Sequence, residues 1–326
     1  MGAVHVSDPA WDTVIPRGAK LEKVAEGFEW SEGPVWSPEG YLLFSDAPRN
    51  TIYKWREGEG ISVFMRPSGH AGSDPPGLEL GTNGLALSTD SLIIACDHGN
   101  RAIVQINTRI WTKKLLASNY HGQRLNSPND LAFNRKGDIY FTDPPYGLRG
   151  INDSPLKELD FNGVYLLRRD GTLVLLVRDL TYPNGIALSP DERTLYVGVS
   201  DGDRPVVMAY DVQPDGTVTD GRVFFDGSAL AAQGKRGAPD GLTVADNGYV
   251  ITTGPGGVLI LDGQGKLLGT IETGQAVSNV TFGGPDFSTL YITSDMSIFR
   301  FPTRMHGLRW GDVRAGSNSA AAAGQR

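Results

Sequence analysis

A unit that opens on an acidic or amide residue and runs straight into a hydrophobic stretch returns six times along this chain. The six openings are Glu32-Gly33-Pro34-Val35-Trp36, Asn83-Gly84-Leu85-Ala86-Leu87, Asn129-Asp130-Leu131-Ala132-Phe133, Asn184-Gly185-Ile186-Ala187-Leu188, Asp240-Gly241-Leu242-Thr243-Val244 and Asn279-Val280-Thr281-Phe282. Self-similar units of this kind bury their apolar faces against one another, so the repeat decides the architecture before any single residue does.

Inside the first unit the apolar runs are Pro34-Val35-Trp36, Tyr41-Leu42-Leu43-Phe44, Thr51-Ile52-Tyr53-Lys54-Trp55 and Ile61-Ser62-Val63-Phe64, separated by turns rich in Pro, Gly, Asp and Asn. Each run is short and β-rich, and the turn residues supply the backbone angles that hairpins need. The same order follows Asn129 and Asn184. Four strands in a period of roughly 40–55 residues are the mark of a β-propeller. The chain is therefore expected to be all-β, a six-bladed β-propeller with four-stranded antiparallel blades. After Asn279 only three runs can be found, while Lys20-Leu21-Glu22-Lys23-Val24-Ala25 is left over near the N-terminus. Pairing that N-terminal strand with the last blade would close the ring and cover an open edge. One domain over 1–315 is expected, with 316–326, rich in Gly, Ser and Ala, as a frayed tail. The connections over 68–80 and 147–161 are long enough to help wall a channel mouth.

Composition excludes several classes. A hydrophobic content of 40% with 42 Gly and 20 Pro suits a turn-rich β core and not a disordered chain. The net charge of -7, with no basic cluster, offers nucleic acid or an anionic membrane no footprint. No apolar stretch approaches the roughly 18 residues of a membrane helix. A soluble protein is expected, cytoplasmic or, after removal of a signal peptide, periplasmic. Cys96 lies in Leu92-Ile93-Ile94-Ala95-Cys96 and reads as a buried, inert thiol. Oligomeric state has no readable pattern.

Equivalent positions in a propeller converge on the central channel, so Glu32, Asn83, Asn129, Asn184, Asp240 and Asn279 are expected to form one ring of oxygen donors. Two carboxylates and four amides suit a hard divalent cation, Ca2+ first, with Mg2+, Mn2+ and Zn2+ as alternatives. Without an ion, Glu32 and Asp240 would face each other at electrostatic cost and one would hold a proton. The plain alternative is that Asn-Gly and Asp-Gly recur as turn formers, which accounts for Asn83, Asn184 and Asp240 but poorly for Glu32.

Ser31-Glu32-Gly33-Pro34-Val35-Trp36, Cys96-Asp97-His98-Gly99-Asn100-Arg101, Leu125-Asn126-Ser127-Pro128-Asn129-Asp130, Thr142-Asp143-Pro144-Pro145-Tyr146-Gly147, Pro183-Asn184-Gly185 and Pro239-Asp240-Gly241-Leu242 together resemble the family of gluconolactonase, senescence marker protein and luciferin-regenerating enzyme. That family is similar in fold to paraoxonases and squid-type diisopropyl fluorophosphatase. The resemblance implies a small-molecule lactone as substrate, one channel cation held by Glu32, Asn184 and Asp240, Asn129 on metal or substrate, and Asp130 as general base. Asn83 and Asn279 match no family role. Animal members carry an Arg where this chain has Ser127, so the sugar contacts do not transfer. Arg124, Arg101 and Tyr146 become the candidate substrate contacts, and His98 an alternative base; His70 is a weaker candidate. The chemistry implied is a carbonyl polarised by the cation and attacked by water. An esterase or phosphotriesterase using the same site, and a non-catalytic binding propeller, are the rival readings.

Overall fold

The computed structural model describes residues 2–72, 78–88 and 92–308. The second strand of each blade turns its two faces toward the neighbouring blades and is buried accordingly. Ile93–Asp97 is buried throughout, whereas the outermost strand of the same blade, Thr112–Ala117, is mostly exposed. Burial on both faces removes the alternation of a one-sided sheet and leaves near-continuous Val/Ile/Leu runs.

Six four-stranded antiparallel sheets result, each meandering outward from the axis. Blade one comprises Ser31–Ser37, Tyr41–Asp46, Thr51–Arg56 and Gly60–Met65. The inner strands of blades two to six are Thr82–Leu87, Leu131–Phe133, Pro183–Leu188, Leu242–Val244 and Asn279–Gly283. Among the described residues the apolar core falls into six clusters, one for each junction between neighbouring blades. Leu43 and Ile52 of blade one meet Leu85 and Ile93 of blade two, and Tyr291 and Ile298 of blade six meet Leu42 and Phe44 of blade one. A cluster at the last junction means that the ring is closed by packing as well as by pairing.

Closure comes from the N-terminus, as the unpaired strand predicts. Glu22–Glu26 pairs antiparallel with Ser297–Pro302 and completes blade six. Arg300 clamps the seam through Glu22 at 2.8 Å and Glu57 at 2.5 Å. One element was not foreseen. Ala3–Val6 adds a fifth strand to blade five against Leu267–Glu272. Its own side chains are exposed, so no hydrophobic pattern announces it; Trp11, Val14 and Ile15 behind it are buried in the junction of blades five and six and hold it there. No described helix is long and apolar enough to cross a membrane. The expected tail, 316–326, lies outside the described residues.

A second in-phase set brings order to the loops above the ring. Asp46, Asp97 and Asp143 end the second strands of blades one to three and are fully buried. Their carboxylates accept backbone N–H groups of Glu29, Asn100 and Asn126. Each buried carboxylate thereby pins a loop at the channel mouth.

Candidate metal centre and active site

The ring residues are not turn residues. Glu32, Asn83 and Asn184 lie within strands, each at a bulge where the register slips, between Glu32 and Val35, Thr82 and Leu85, and Pro183 and Ile186. A bulge re-aims side chains that would otherwise face the neighbouring blade. The following glycine is demanded by close approach between blades. A Cβ on Gly185 would stand 2.2 Å from the carbonyl oxygen of Asp240, and one on Gly33 2.1 Å from that of Asn83. The turn-former reading of Asn-Gly and Asp-Gly is thus corrected: the pair recurs because successive inner strands touch there.

These contacts run around the whole axis. Gly84 N–H donates to Asn129 O, Gly185 N–H to Asp240 O and Gly241 N–H to Ser278 O. The Thr142 hydroxyl donates to Asn184 O at 2.7 Å, and the Asn279 amide donates to Glu32 Oε2 at 3.2 Å. The six openings are therefore brought together at one level of the channel.

Their side chains divide by role. Glu32 is 2% exposed, and its Oε2 also accepts from Gly33 N–H at 2.8 Å. Burial, followed by the repulsion of Asp130 and Glu79, pushes its carboxyl up to about 8. Asp240 is partly exposed, and burial and Glu32 hold its carboxyl well above the usual carboxylate range. Asn184 donates to Ser200 Oγ at 3.0 Å, and that hydroxyl donates onward to Pro239 O. This fixes the amide so that its oxygen is the free end. The carbonyl oxygens of Asn184 and Asn83 are both buried without a partner. Asn129 is 3% exposed at the same level. Asn279 departs from the expected ring: Val280 N–H occupies its oxygen at 2.8 Å, so it presents N–H, not an acceptor, to Glu32.

Two orphaned amide oxygens beside two carboxylates fit a hard divalent cation, for which such oxygens are ligands. Among the described residues no group of three or more His, Cys, Asp and Glu is disposed as a metal cluster. The donor set is amide-rich, which excludes a softer thiolate or imidazole centre.

Asp130 stands where most other units have glycine. Its Oδ1 accepts from Leu131 N–H at 2.9 Å, and burial raises its carboxyl to about 6. Together with Asn279 it lines a cavity of about 1090 Å³ formed by the far half of the channel, between inner-strand residues such as Ile186, Leu242 and Phe282. Asn129 and Asp130 both precede the strand Leu131–Phe133, so the alternation of a strand does not apply to them.

His98 and Tyr146 belong to the ring's mouth. His98 is 1% exposed; its Nδ1 lies 2.6 Å from Glu79 Oε2, and its Nε2 is buried without a partner. Tyr146 stacks on Tyr182 with centroids 5.8 Å apart. Its phenol is raised by burial and then by Asp240, and Ser200 and Asn184 lie beside it. The two long connections meet here, with Leu78 N–H on Gly147 O at 2.8 Å.

The hydrogen bonds of the two arginines go to backbone carbonyls of the loops. Arg101 is 2% exposed; its Nε donates to Leu125 O at 2.7 Å and Asn126 O at 3.1 Å, and its Nη1 stands 3.9 Å from Glu158 Oε1. Arg124 is exposed and donates to Asn100 O, with no contact to the ring among the described residues. His70 packs on Gly72 and Gly99 in the loop above. Ser127 is buried, donating to Pro144 O and accepting from Gly147 N–H, so it braces the loop that carries Tyr146. Cys96 is buried, and burial pushes its thiol well up. Glu79 was missed by sequence reasoning, since a lone Glu in a loop carries no spacing signal.

The chain is similar to known proteins over most of its length. The chain is 39% identical over 319 residues to the gluconolactonase of Zymomonas mobilis, covering 94% of this chain and 88% of that one. A gluconolactonase from Xanthomonas campestris superposes with a TM-score of 0.78 at 31% identity, covering 92% of this chain and 94% of that one. A calcium-binding regucalcin of Agrobacterium tumefaciens shares the fold, with a TM-score of 0.70 at 20% identity over 89% of this chain and 96% of that one. The family model described as "SMP-30/Gluconolactonase/LRE-like region" matches residues 30–296, and the chain belongs to that family.

Proposed function

We propose that this protein is a lactonase that opens a small sugar lactone at the channel mouth with the help of one divalent cation, Ca2+ first. The observation that carries the cation is the pair of buried, unpartnered oxygens on Asn83 and Asn184 beside Glu32 and Asp240. Glu32, Asn184, Asp240 and Asn129 would hold it, with the oxygen of Asn83 as a further donor. When bound, the ion supplies positive charge against which a carbonyl oxygen can be polarised.

The chain's own groups supply the rest. Ser200 holds the Asn184 amide in its ligating orientation, a support of the kind whose loss weakens a metal site. The Asn279 N–H steadies Glu32 from below. Tyr146, beside Asn184 and Asp240, would meet a substrate hydroxyl at the rim. Water adds to the carbonyl carbon and the ring C–O bond breaks, giving the hydroxy acid. Asp130 and His98 are the two candidate proton acceptors.

The test is hydrolysis of glucono-1,5-lactone followed by a pH indicator, above the spontaneous rate, with EDTA-treated protein and added Ca2+, Mg2+, Mn2+ or Zn2+. Turnover restored by one of these ions supports the reading. Full turnover in EDTA refutes the cation, and absence of turnover with every ion refutes the substrate class.

A further inference from the structure

The geometry points to Glu79 as the residue that positions His98, making the pair, and not Asp130, the proton relay of the reaction; this rests on the lactonase reading above.

The pair has the features that a base and its orienting carboxylate require. Glu79 Oε2 stands 2.6 Å from His98 Nδ1, so in the neutral ring the proton sits on Nδ1 and Nε2 keeps its lone pair. That Nε2 is buried and without a partner, on a residue 1% exposed. A buried imidazole nitrogen held in one tautomer and left free is costly in a residue that only packs. Leu78 N–H, next to Glu79, donates to Gly147 O, next to Tyr146, which puts the pair on the ring's mouth side. Asp130 instead has its Oδ1 on Leu131 N–H and lines the far cavity.

Both partners are held from the backbone. Leu78 N–H donates to Gly147 O, His70 N–H to Leu80 O, Gly81 N–H to Ala47 O and His98 N–H to Gly81 O. The residues flanking Glu79 are thereby tied to blade one, to the loop that carries Tyr146 and to His98 itself. The ring of His98 has no spare room either, since a Cβ on Gly147 would meet its Cγ at 3.0 Å.

In the step assigned to the pair, a water oxygen forms its bond to the lactone carbonyl carbon as one water proton passes to His98 Nε2. The carbonyl electron pair moves onto its oxygen. On collapse the ring C–O bond breaks, and the proton on Nε2 passes to the departing ring oxygen. Glu79 keeps the Nδ1 proton throughout and balances the transient imidazolium, which is a positioning role.

The experiment compares the full chain with Glu79→Gln, His98→Ala and the double variant, each at saturating ion, with ion affinity from calorimetry and the His98 tautomer from 15N NMR. In the wild type the neutral ring is protonated at Nδ1, and in Glu79→Gln that preference is lost. Each single variant lowers kcat by roughly a hundredfold, within the range for general-base losses, with KM changed less than about twofold. The double variant is no slower than His98→Ala, because the two act as a unit. If Glu79 served only the electrostatics of the ring, its loss would change ion affinity and leave kcat at saturation intact; that result overturns the assignment, as do losses that multiply in the double variant. An active wild type with an unaffected Glu79→Gln refutes the relay alone, whereas an inactive wild type refutes the lactonase reading with it.

Discussion

Glu32→Gln should stabilise the ion-free protein while removing its function. Glu32 Oε2 accepts from Gly33 N–H and from the Asn279 amide, and a glutamine oxygen at the same point accepts both. Only the charge is lost. In the ion-free fold burial raises the carboxyl from 4.5 to about 8. Between those values the unfolded chain has released the proton and the folded chain still holds it, so this group's contribution is complete below pH 4.5 and declines as pH rises toward 8. At about 1.4 kcal/mol per pH unit, the wild type at pH 7 lies about 3 kcal/mol below the neutral isostere. The gap shrinks to under about 1 kcal/mol at pH 5. For a chain of 326 residues, with an unfolding entropy of about 2 cal/mol/K per residue, the pH 7 gap is a Tm difference of about 4 °C. Thermal and urea unfolding in EDTA at both pH values read it directly. With ion at about 100 times its Kd the wild type alone gains about 2.7 kcal/mol, and the order closes or reverses. A variant less stable than wild type in EDTA at pH 7, or a gap that ignores pH, refutes the argument that Glu32 is a destabilised buried charge.

Other perturbations separate support from chemistry. Ser200→Ala frees the Asn184 amide to rotate, and ion affinity should fall by about 10-fold or more in calorimetry with the fold intact. Gly185→Ala forces a Cβ to within 2.2 Å of Asp240 O, so urea unfolding should show a loss of about 3 kcal/mol, with weakened ion binding following from the displaced Asp240. Arg101→Ala leaves Leu125 O and Asn126 O without their donor and removes a charge that steadies Asp143, whose carboxyl burial already raises to about 7. Stability should drop by about 3 kcal/mol while KM for the lactone stays within about twofold, the opposite of what a substrate contact would give.

The propeller was legible because its signal is redundant. Six units repeat one order of turns and apolar runs, and the run left over at residues 20–25 could only be used where blade six lacked a strand, which is where Glu22–Glu26 pairs. The ring was legible for the same reason, since phase in the repeat is position around the axis. Ala3–Val6 was not, because an exposed edge strand needs no apolar pattern and owes its place to Trp11 behind it.

What the sequence determined, then, is everything that depends on the repeat: fold, blade number, the closing strand and which residues meet at the axis. Tertiary structure decided what each of them does there. Asn279 turned its N–H inward because Val280 N–H claims its oxygen, and Arg101 became a buried brace because two carbonyls surround it. Asp130 went to the far cavity, and Glu79 came from a loop to His98. Hydrogen-bond partners distant in sequence set these outcomes, and a lone residue's partner is not written in its own spacing.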